Sequence, residues 1–312
     1  MILKRAFSAI TVAGALAAAS FSPARAAESS EPIRIAVNEW TGQHLSAYIA
    51  GDLLKKMGYE VEMVTAGGLP QFTAIARGDL HANPEVWDNS VTDIYTNGLA
   101  SGDLVNLGKL GLEPRDGWIY PPYMEEKCPG LPSYKALFDC AQAFASAETF
   151  PKGRVVAYPA DWGTRTQDLV AAIDIPFVPI AGGSEGAMIA ELKGAMDSKE
   201  PILMMFWQPH WIFANLDVKW VEWAPTEGEC VAEKQTRENA CGFSQASVDK
   251  IVSKSFPEKW PRAAAFMKAF TLTNDEQNRM IYEVDQQGRK LHEVVQEWIV
   301  DNETQWSGWI KQ

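Results

Sequence analysis

The sequence predicts an α/β protein of two lobes, each a mostly parallel sheet flanked by helices, with a ligand held in the cleft between them. Three observations lead there. Strand-like and helix-like stretches alternate from residue 33, the pattern of a parallel sheet covered by helices. The alternation breaks at 109–150, a section rich in Pro, Gly and Tyr, and then restarts. Four of the strand-like stretches run into a tryptophan where a strand should turn into a polar loop: "IRIAVNEW", "LHANPEVW", "VVAYPADW" and "PILMMFW".

Before the first strand, Lys4 and Arg5 precede the apolar stretch "AFSAITVAGALAAASF", and the small-residue pattern Ala24-Arg25-Ala26 follows. This is the layout of a secretory signal peptide, 1–26, cut near Ala26. The apolar run is too short for a membrane span, and no cysteine sits at the cut to carry a lipoprotein anchor. Export is therefore expected.

"IRIAV" reads as the first strand. "HLSAYIAGDLLKKMG" is an amphipathic helix closed by Gly58. "YEVEMVTA" alternates as a strand, "GGLPQFTAIARGD" is a turn and short helix, and "LHANPEVW" leads into the next strand. After the break come the strand "GRVVAYPA", the helix "RTQDLVAAI", the strand "IPFVPI", the helix "GAMIAELKGAM" and the strand "PILMMFW". "VKWVEWA" is strand-like, and two or three helices finish the chain. In the last, Leu291, Val294, Val295, Trp298 and Ile299 share one helical face.

The 312 residues are 46% hydrophobic and 22% charged, enough for one large core or two moderate ones. The net charge is −12, and losing Lys4, Arg5 and Arg25 with an acid-free 1–26 takes it to −15. An acidic surface argues against nucleic acid and anionic lipid as partners. Cys128, Cys140, Cys230 and Cys241 all lie in the exported part, an even count that suits an oxidising compartment. Three pairings are possible, and proximity favours Cys128–Cys140 with Cys230–Cys241. The spacings are not those of a zinc site, so neither metal nor cofactor is expected.

Twelve tryptophans are unusual. Trp220, Trp223, Trp260, Trp298, Trp306 and Trp309 are assigned to packing. Trp40, Trp87, Trp162 and Trp207 stand at the carboxyl ends of strands, where open α/β sheets bind ligands. Two fall in each lobe, so facing lobes bring four indoles to one cleft. Glu39-Trp40-Thr41-Gly42 and Asp161-Trp162-Gly163-Thr164 echo each other, an acid and a tryptophan between strand and helix. An indole face is negative and attracts cations, and a quaternary ammonium, greasy and without a strong donor, suits such a box. The acids Glu39, Asp88, Glu125 and Asp161 reinforce a positive ligand. A sugar platform is the rival, but it calls for many more planar polar groups.

These residues resemble the glycine betaine/choline family of periplasmic substrate-binding proteins of ABC transporters. The likeness runs through "IRIAVNEWTG", "ARGDLHANPEVW", "FWQPHW" and "EWIVDNETQWSGW", in that order. It implies a type II-like two-lobed fold that closes on its ligand about a hinge. The expected division is lobe 1 over 27–117 and 212–312, with the C-terminal helices, and lobe 2 over 118–211. It maps Trp40, Trp87 and Trp207 to cage positions. Trp118, in "DGWIYPPYM", falls where the family often has a cage tyrosine. Trp162 falls one place off a polar ligand contact of the choline-type members, for which Asp161 is the closer match, and His210 matches a contact to a ligand carboxylate in betaine-type members. The cysteine pairs look like a subgroup that includes trimethylamine N-oxide binders.

The implied partners are a small methylated onium ligand and an inner-membrane ABC permease, the chain itself being monomeric. The ligand class spans trimethylamine N-oxide, choline, glycine betaine, carnitine and dimethylsulfoniopropionate. Carboxylate-bearing members need arginine, histidine or free backbone amides; Arg165, His44 and His210 are the best local basic candidates and none is compelling, so the acidic surroundings tip the balance toward choline and trimethylamine N-oxide. A sugar- or amino-acid-binding protein of the same architecture is the alternative. An enzyme is disfavoured: the chain has no Gly-x-Ser-x-Gly, no His-Glu-x-x-His and no phosphate loop, and its histidines, His44, His81, His210 and His292, have no metal-ligand spacing.

Overall fold

The computed structural model describes residues 28–90, 93–225, 230 and 234–311; the signal-peptide segment, 1–26, lies outside them. Eleven strands are described: β1 (Ile33–Val37), β2 (Val61–Thr65), β3 (Ala82–Trp87), β4 (Leu104–Lys109), β5 (Arg115–Tyr120), β6 (Pro129–Pro132), β7 (Gly153–Ala157), β8 (Phe177–Ala181), β9 (Met204–Gln208), β10 (Lys219–Trp220) and β11 (Val248–Ser253). Ten of them form two five-stranded sheets, ordered β2-β1-β3-β11-β4 and β10-β5-β9-β7-β8.

Each sheet has a parallel half built the same way. β1 pairs with β2 on one side and β3 on the other. β7 does the same with β8 and β9. A crossover helix follows each first strand: Thr41–Lys56 after β1 and Arg165–Ile173 after β7. The remaining strands run antiparallel: β11 against β3 and β4, β5 against β9, and β10 against β5. The sheets are therefore mixed rather than mostly parallel, and the antiparallel strands are those that carry the chain from one lobe to the other and back.

The first sheet draws on residues 33–109 and 248–253, the second on 115–220. Arg115–Gly117 and Lys219–Trp220, which the sequence places in lobe 1, thus belong to the second sheet. β5 is pinned there by five consecutive pairings with β9, Arg115↔Gln208 through Ile119↔Met204.

Helix Thr41–Lys56 buries Leu45, Ile49, Leu53 and Leu54 completely. Each such side chain contributes about 1.5–3 kcal/mol relative to an exposed one. The helix ends at Lys56, and Gly58, with φ +95°, makes the left-handed turn that redirects the chain into β2. Helices Asn274–Asp285 and Leu291–Asp301 pack against it. The first opens with a Thr273/Glu276 capping box. The second buries Val294, Val295, Trp298 and Ile299, with Leu291 partly covered. The cysteines pair as Cys128–Cys140 and Cys230–Cys241, with Cα–Cα distances of 5.2 and 5.7 Å.

Candidate functional site

The strand order 2-1-3, repeated in both sheets, creates a topological switch point in each. After β1 the chain crosses to one side to make β2, then to the other to make β3, so the loops at the carboxyl ends of β1 and β3 part and leave a crevice. Trp40 follows β1 and Trp87 ends β3; Trp162 follows β7 and Trp207 lies on β9. All four line one cavity of about 60 Å³ between the two sheets, together with Tyr158, Glu85 and Asp116.

The rings meet edge to face. Centroids lie 5.1 Å apart for Trp40 and Trp162, across the lobes, and 5.6 Å for Trp162 and Trp207. Tyr158 stands 5.8 Å from Trp162 and 5.6 Å from Trp207. Trp207 is backed by Phe206, stacked at 4.4 Å and 10°. Edge-to-face contacts of this kind are the favoured geometry for aromatic pairs.

Glu85 anchors the first-lobe half. Its Oε1 accepts from Trp40 Nε1 (3.0 Å) and Trp87 Nε1 (3.3 Å). Its Oε2 accepts from Ser46 Oγ (2.6 Å) and Gln277 Nε2 (2.7 Å). Burial pushes its pKa up, and the four hydrogen bonds offset that only in part. Three of the four partners are N–H donors, which favours the carboxylate form, while Ser46 Oγ can donate or accept.

Asp116 supplies the second acid. It forms a two-pronged ion pair with Arg165, and Asn89 of the first lobe also donates to it (3.2 Å). The Arg165 guanidinium lies over the Phe243 ring at 5.1 Å. The cation nearest the cavity is thus already engaged. Burial pushes the Tyr158 phenol well above its ordinary pKa, with the Asp116 charge second, so it stays a neutral O–H.

Trp118 does not line the cavity. β5 runs antiparallel to β9, so its start, not its end, lies beside the carboxyl end of β9: Asp116 pairs with Trp207, whereas Trp118 pairs with Met205. Two residues move Trp118 about 7 Å deeper along the strand. There it is fully buried against Phe177, Trp223 and Phe243, its Nε1 facing Thr166 Oγ1 at 3.4 Å.

None of the other expected polar residues lines the cavity, so the acids expected to reinforce a positive ligand, Glu39, Asp88, Glu125 and Asp161, are not at its wall. Glu39 accepts from Trp162 Nε1 (3.3 Å), and its pKa is raised by burial and then by the charge of Asp161. Asp161 meets the first lobe through its backbone: a Cβ on Gly68 would lie 3.0 Å from its carbonyl oxygen, a tight contact where the lobes approach. His210 packs behind Phe206 and Trp207, with Nε2 3.2 Å from Glu185 Oε1. His44 meets the Asn38 carbonyl. Asp88 accepts from the Ser247 N–H (2.6 Å), and Glu125 pairs with Lys219 at 2.7 Å.

Sequence reasoning missed Tyr158, Glu85 and Asp116. Tyr158 and Glu85 sit inside stretches already singled out, "VVAYPADW" and "ANPEVW". Glu85 carries a readable signal, an acid within a short buried strand that ends on a tryptophan.

Among the described residues, no helix is long and apolar enough to cross a membrane. The trimethylamine N-oxide-binding protein of Pelagibacter ubique (strain HTCC1062) is 28% identical over 294 residues, 92% of this chain and 93% of that one. The fold is shared with lactococcal OpuAC in its closed form complexed with glycine betaine: TM-score 0.72, 18% identity, covering 90% of this chain and 99% of that one. An ABC-transporter choline-binding protein in complex with choline has a TM-score of 0.74 at 14% identity, over 90% and 91% of the two chains. Residues 31–301 match the substrate binding domain of ABC-type glycine betaine transport system, so the chain belongs to that family and is a transport substrate-binding protein, not an enzyme.

Proposed function

We propose that this protein captures a small methylated onium compound in the interlobe cavity and delivers it to an ABC permease in the inner membrane. Trimethylamine N-oxide is the favoured ligand, with choline next and glycine betaine, carnitine and dimethylsulfoniopropionate behind. One observation carries the reading: indoles from both lobes face one cavity that also holds two carboxylates, while the nearest guanidinium is bound to one of them. A desolvated cation–π contact contributes about 2 kcal/mol, so three or four supply on the order of 6–8 kcal/mol, enough for roughly micromolar binding.

The ranking follows from charge. A ligand carboxylate would meet Glu85 and Asp116, and among the described residues no lysine or arginine lines the cavity to offset them. The Pelagibacter relative, a trimethylamine N-oxide-binding protein, supports the same choice. Arg165 and Asp116, the kind of pair an amino-acid site needs, are engaged with each other. Tyr158 offers a neutral O–H to a ligand oxygen.

Closure brings the two indole pairs together about the two chain crossings and expels water, which strengthens each contact. Export through the 1–26 signal fits the two disulfides, and the chain is taken to act as a monomer. Isothermal titration with the five onium compounds, sugars and amino acids tests the reading. Binding of trimethylamine N-oxide or choline at least tenfold tighter than any sugar or amino acid is expected; a sugar or amino acid binding tightest overturns it.

A further inference from the structure

The helix Thr41–Lys56 begins without a cap of its own. Its N-cap residue is Trp40, whose indole N–H can donate but not accept, and no acid lies in its first turn. The first N–H groups of a helix have no partner inside it and need an acceptor. Thr41 finds one 144 residues away: its N–H donates to Glu185 Oε2 at 2.8 Å. Glu185 opens the helix Glu185–Ser198 in the second lobe and is only 5% exposed.

The other oxygen of Glu185 is held as well. His210 Nδ1 accepts from the Ile212 N–H (3.3 Å), so the proton sits on Nε2, which donates to Glu185 Oε1 (3.2 Å). A reciprocal bond runs the other way. Asp285, at the end of first-lobe helix Asn274–Asp285, accepts from Trp211 Nε1 of the second lobe (3.2 Å) and from Thr41 Oγ1 (2.8 Å). Each lobe thus contributes a carboxylate that receives a donor from the other. Glu185, His210 and Asp285 lie close enough to hold a metal ion. A metal on Nε2 would need Nδ1 to donate, and the Ile212 N–H facing it opposes that.

We propose that Glu185 caps the facing helix across the cleft and, with His210, Asp285 and Trp211, forms a latch that holds the closed lobes and fixes Trp40. The latch touches the cage twice. Thr41 follows Trp40 directly, and His210 packs on Trp207 at 5.4 Å. Opening the lobes separates Glu185 from Thr41 and Trp211 from Asp285, returning four polar groups to water. Closure therefore completes a helix cap at the step that brings Trp40 against Trp162. Glu185 is a positioning residue: it acts on ligand through Trp40 and through the closed state.

This builds on the proposed ligand class but can be judged apart from it. In stopped-flow tryptophan fluorescence with trimethylamine N-oxide, Glu185→Ala releases ligand about tenfold faster or more than the unsubstituted protein, with association changed less than about threefold. Glu185→Gln, which keeps an oxygen for the Thr41 N–H, falls between the two. Hydrogen exchange at the Thr41 amide of ligand-saturated protein speeds in Glu185→Ala, while the ligand-free proteins exchange alike there and share a thermal midpoint. If trimethylamine N-oxide gives no signal with the unsubstituted protein, the ligand reading fails, and both comparisons are made with whichever of choline, glycine betaine, carnitine or dimethylsulfoniopropionate closes the lobes. Equal exchange at Thr41 in the two ligand-saturated proteins, or unchanged ligand release in Glu185→Ala, overturns the latch.

Discussion

Replacing Glu85 by glutamine changes one atom and removes one charge, and it tests the cage at its anchor. The carboxylate receives two indole N–H groups on one oxygen and Ser46 and Gln277 on the other. An amide has a single acceptor oxygen. If that oxygen faces the indoles, the new NH₂ group confronts Gln277, which must flip and give up its contact with the Gly42 carbonyl. If it faces the other way, the NH₂ group confronts both indole N–H groups and the two rings lose their fixed tilt. Either outcome removes at least one bond to a charged acceptor, about 1.5–3 kcal/mol, and the negative charge beneath a cationic ligand goes with it. The expected loss of affinity is roughly tenfold to a hundredfold. Titration calorimetry measures it, alongside the thermal midpoint of ligand-free protein. Choline against its neutral carbon analogue, 3,3-dimethylbutan-1-ol, separates charge from shape: the substitution weakens choline more. Affinity within about twofold of the unsubstituted protein, with the fold intact, refutes both the anchoring and the charge argument.

Trp87→Ala and Trp207→Ala each weaken onium binding by about 2 kcal/mol, roughly thirtyfold, without unfolding the protein; calorimetric affinities unchanged in both variants would remove the cage. Trp118→Ala behaves oppositely. It opens a hole in the second-lobe core that costs about 3–5 kcal/mol of stability in urea titration, while affinity at low temperature stays near that of the unsubstituted protein. Acid destabilises the fold through His81. The side chain is buried and its pKa is pushed down from 6.5 to about 4, first by burial and then by the Arg34 charge. The unfolded chain takes the proton first as pH falls, so stability present above pH 6.5 is lost on the way to pH 4, on the order of 2–3 kcal/mol. His81→Asn flattens that part of the stability curve, and an unchanged acid slope in the variant contradicts the assignment.

Much of the site was legible because its ring-bearing residues end strands. The apolar runs before Trp40 and Trp207 have the length and composition of buried strands, the stretch before Trp87 reads as strand-like, and a bulky aromatic at such an end has few places to go but the crevice. Trp162 was readable for the same reason, through its echo of the segment around Trp40. Packing assignments for Trp260, Trp298 and Trp306 agree with their burial.

Trp118 and Tyr158 show where that reasoning stops. Both are aromatics near a strand, and sequence alone cannot say which end of β5 points at the cleft. The antiparallel register with β9 decides it, sending Trp118 into the core and leaving Asp116 at the rim. The same holds for Glu85 and Glu185. Each is an acid whose partners lie up to 192 and 144 residues away, in segments that meet only when the lobes form and face each other. Local patterning by itself determined the alternation of strands and helices and the tryptophans at strand ends, because hydrophobic period and chain direction act over a few residues. Tertiary structure alone decided which acids hold the rings and which carboxylates bridge the lobes, because hydrogen bonds between distant segments depend on strand order and register, which no short stretch encodes.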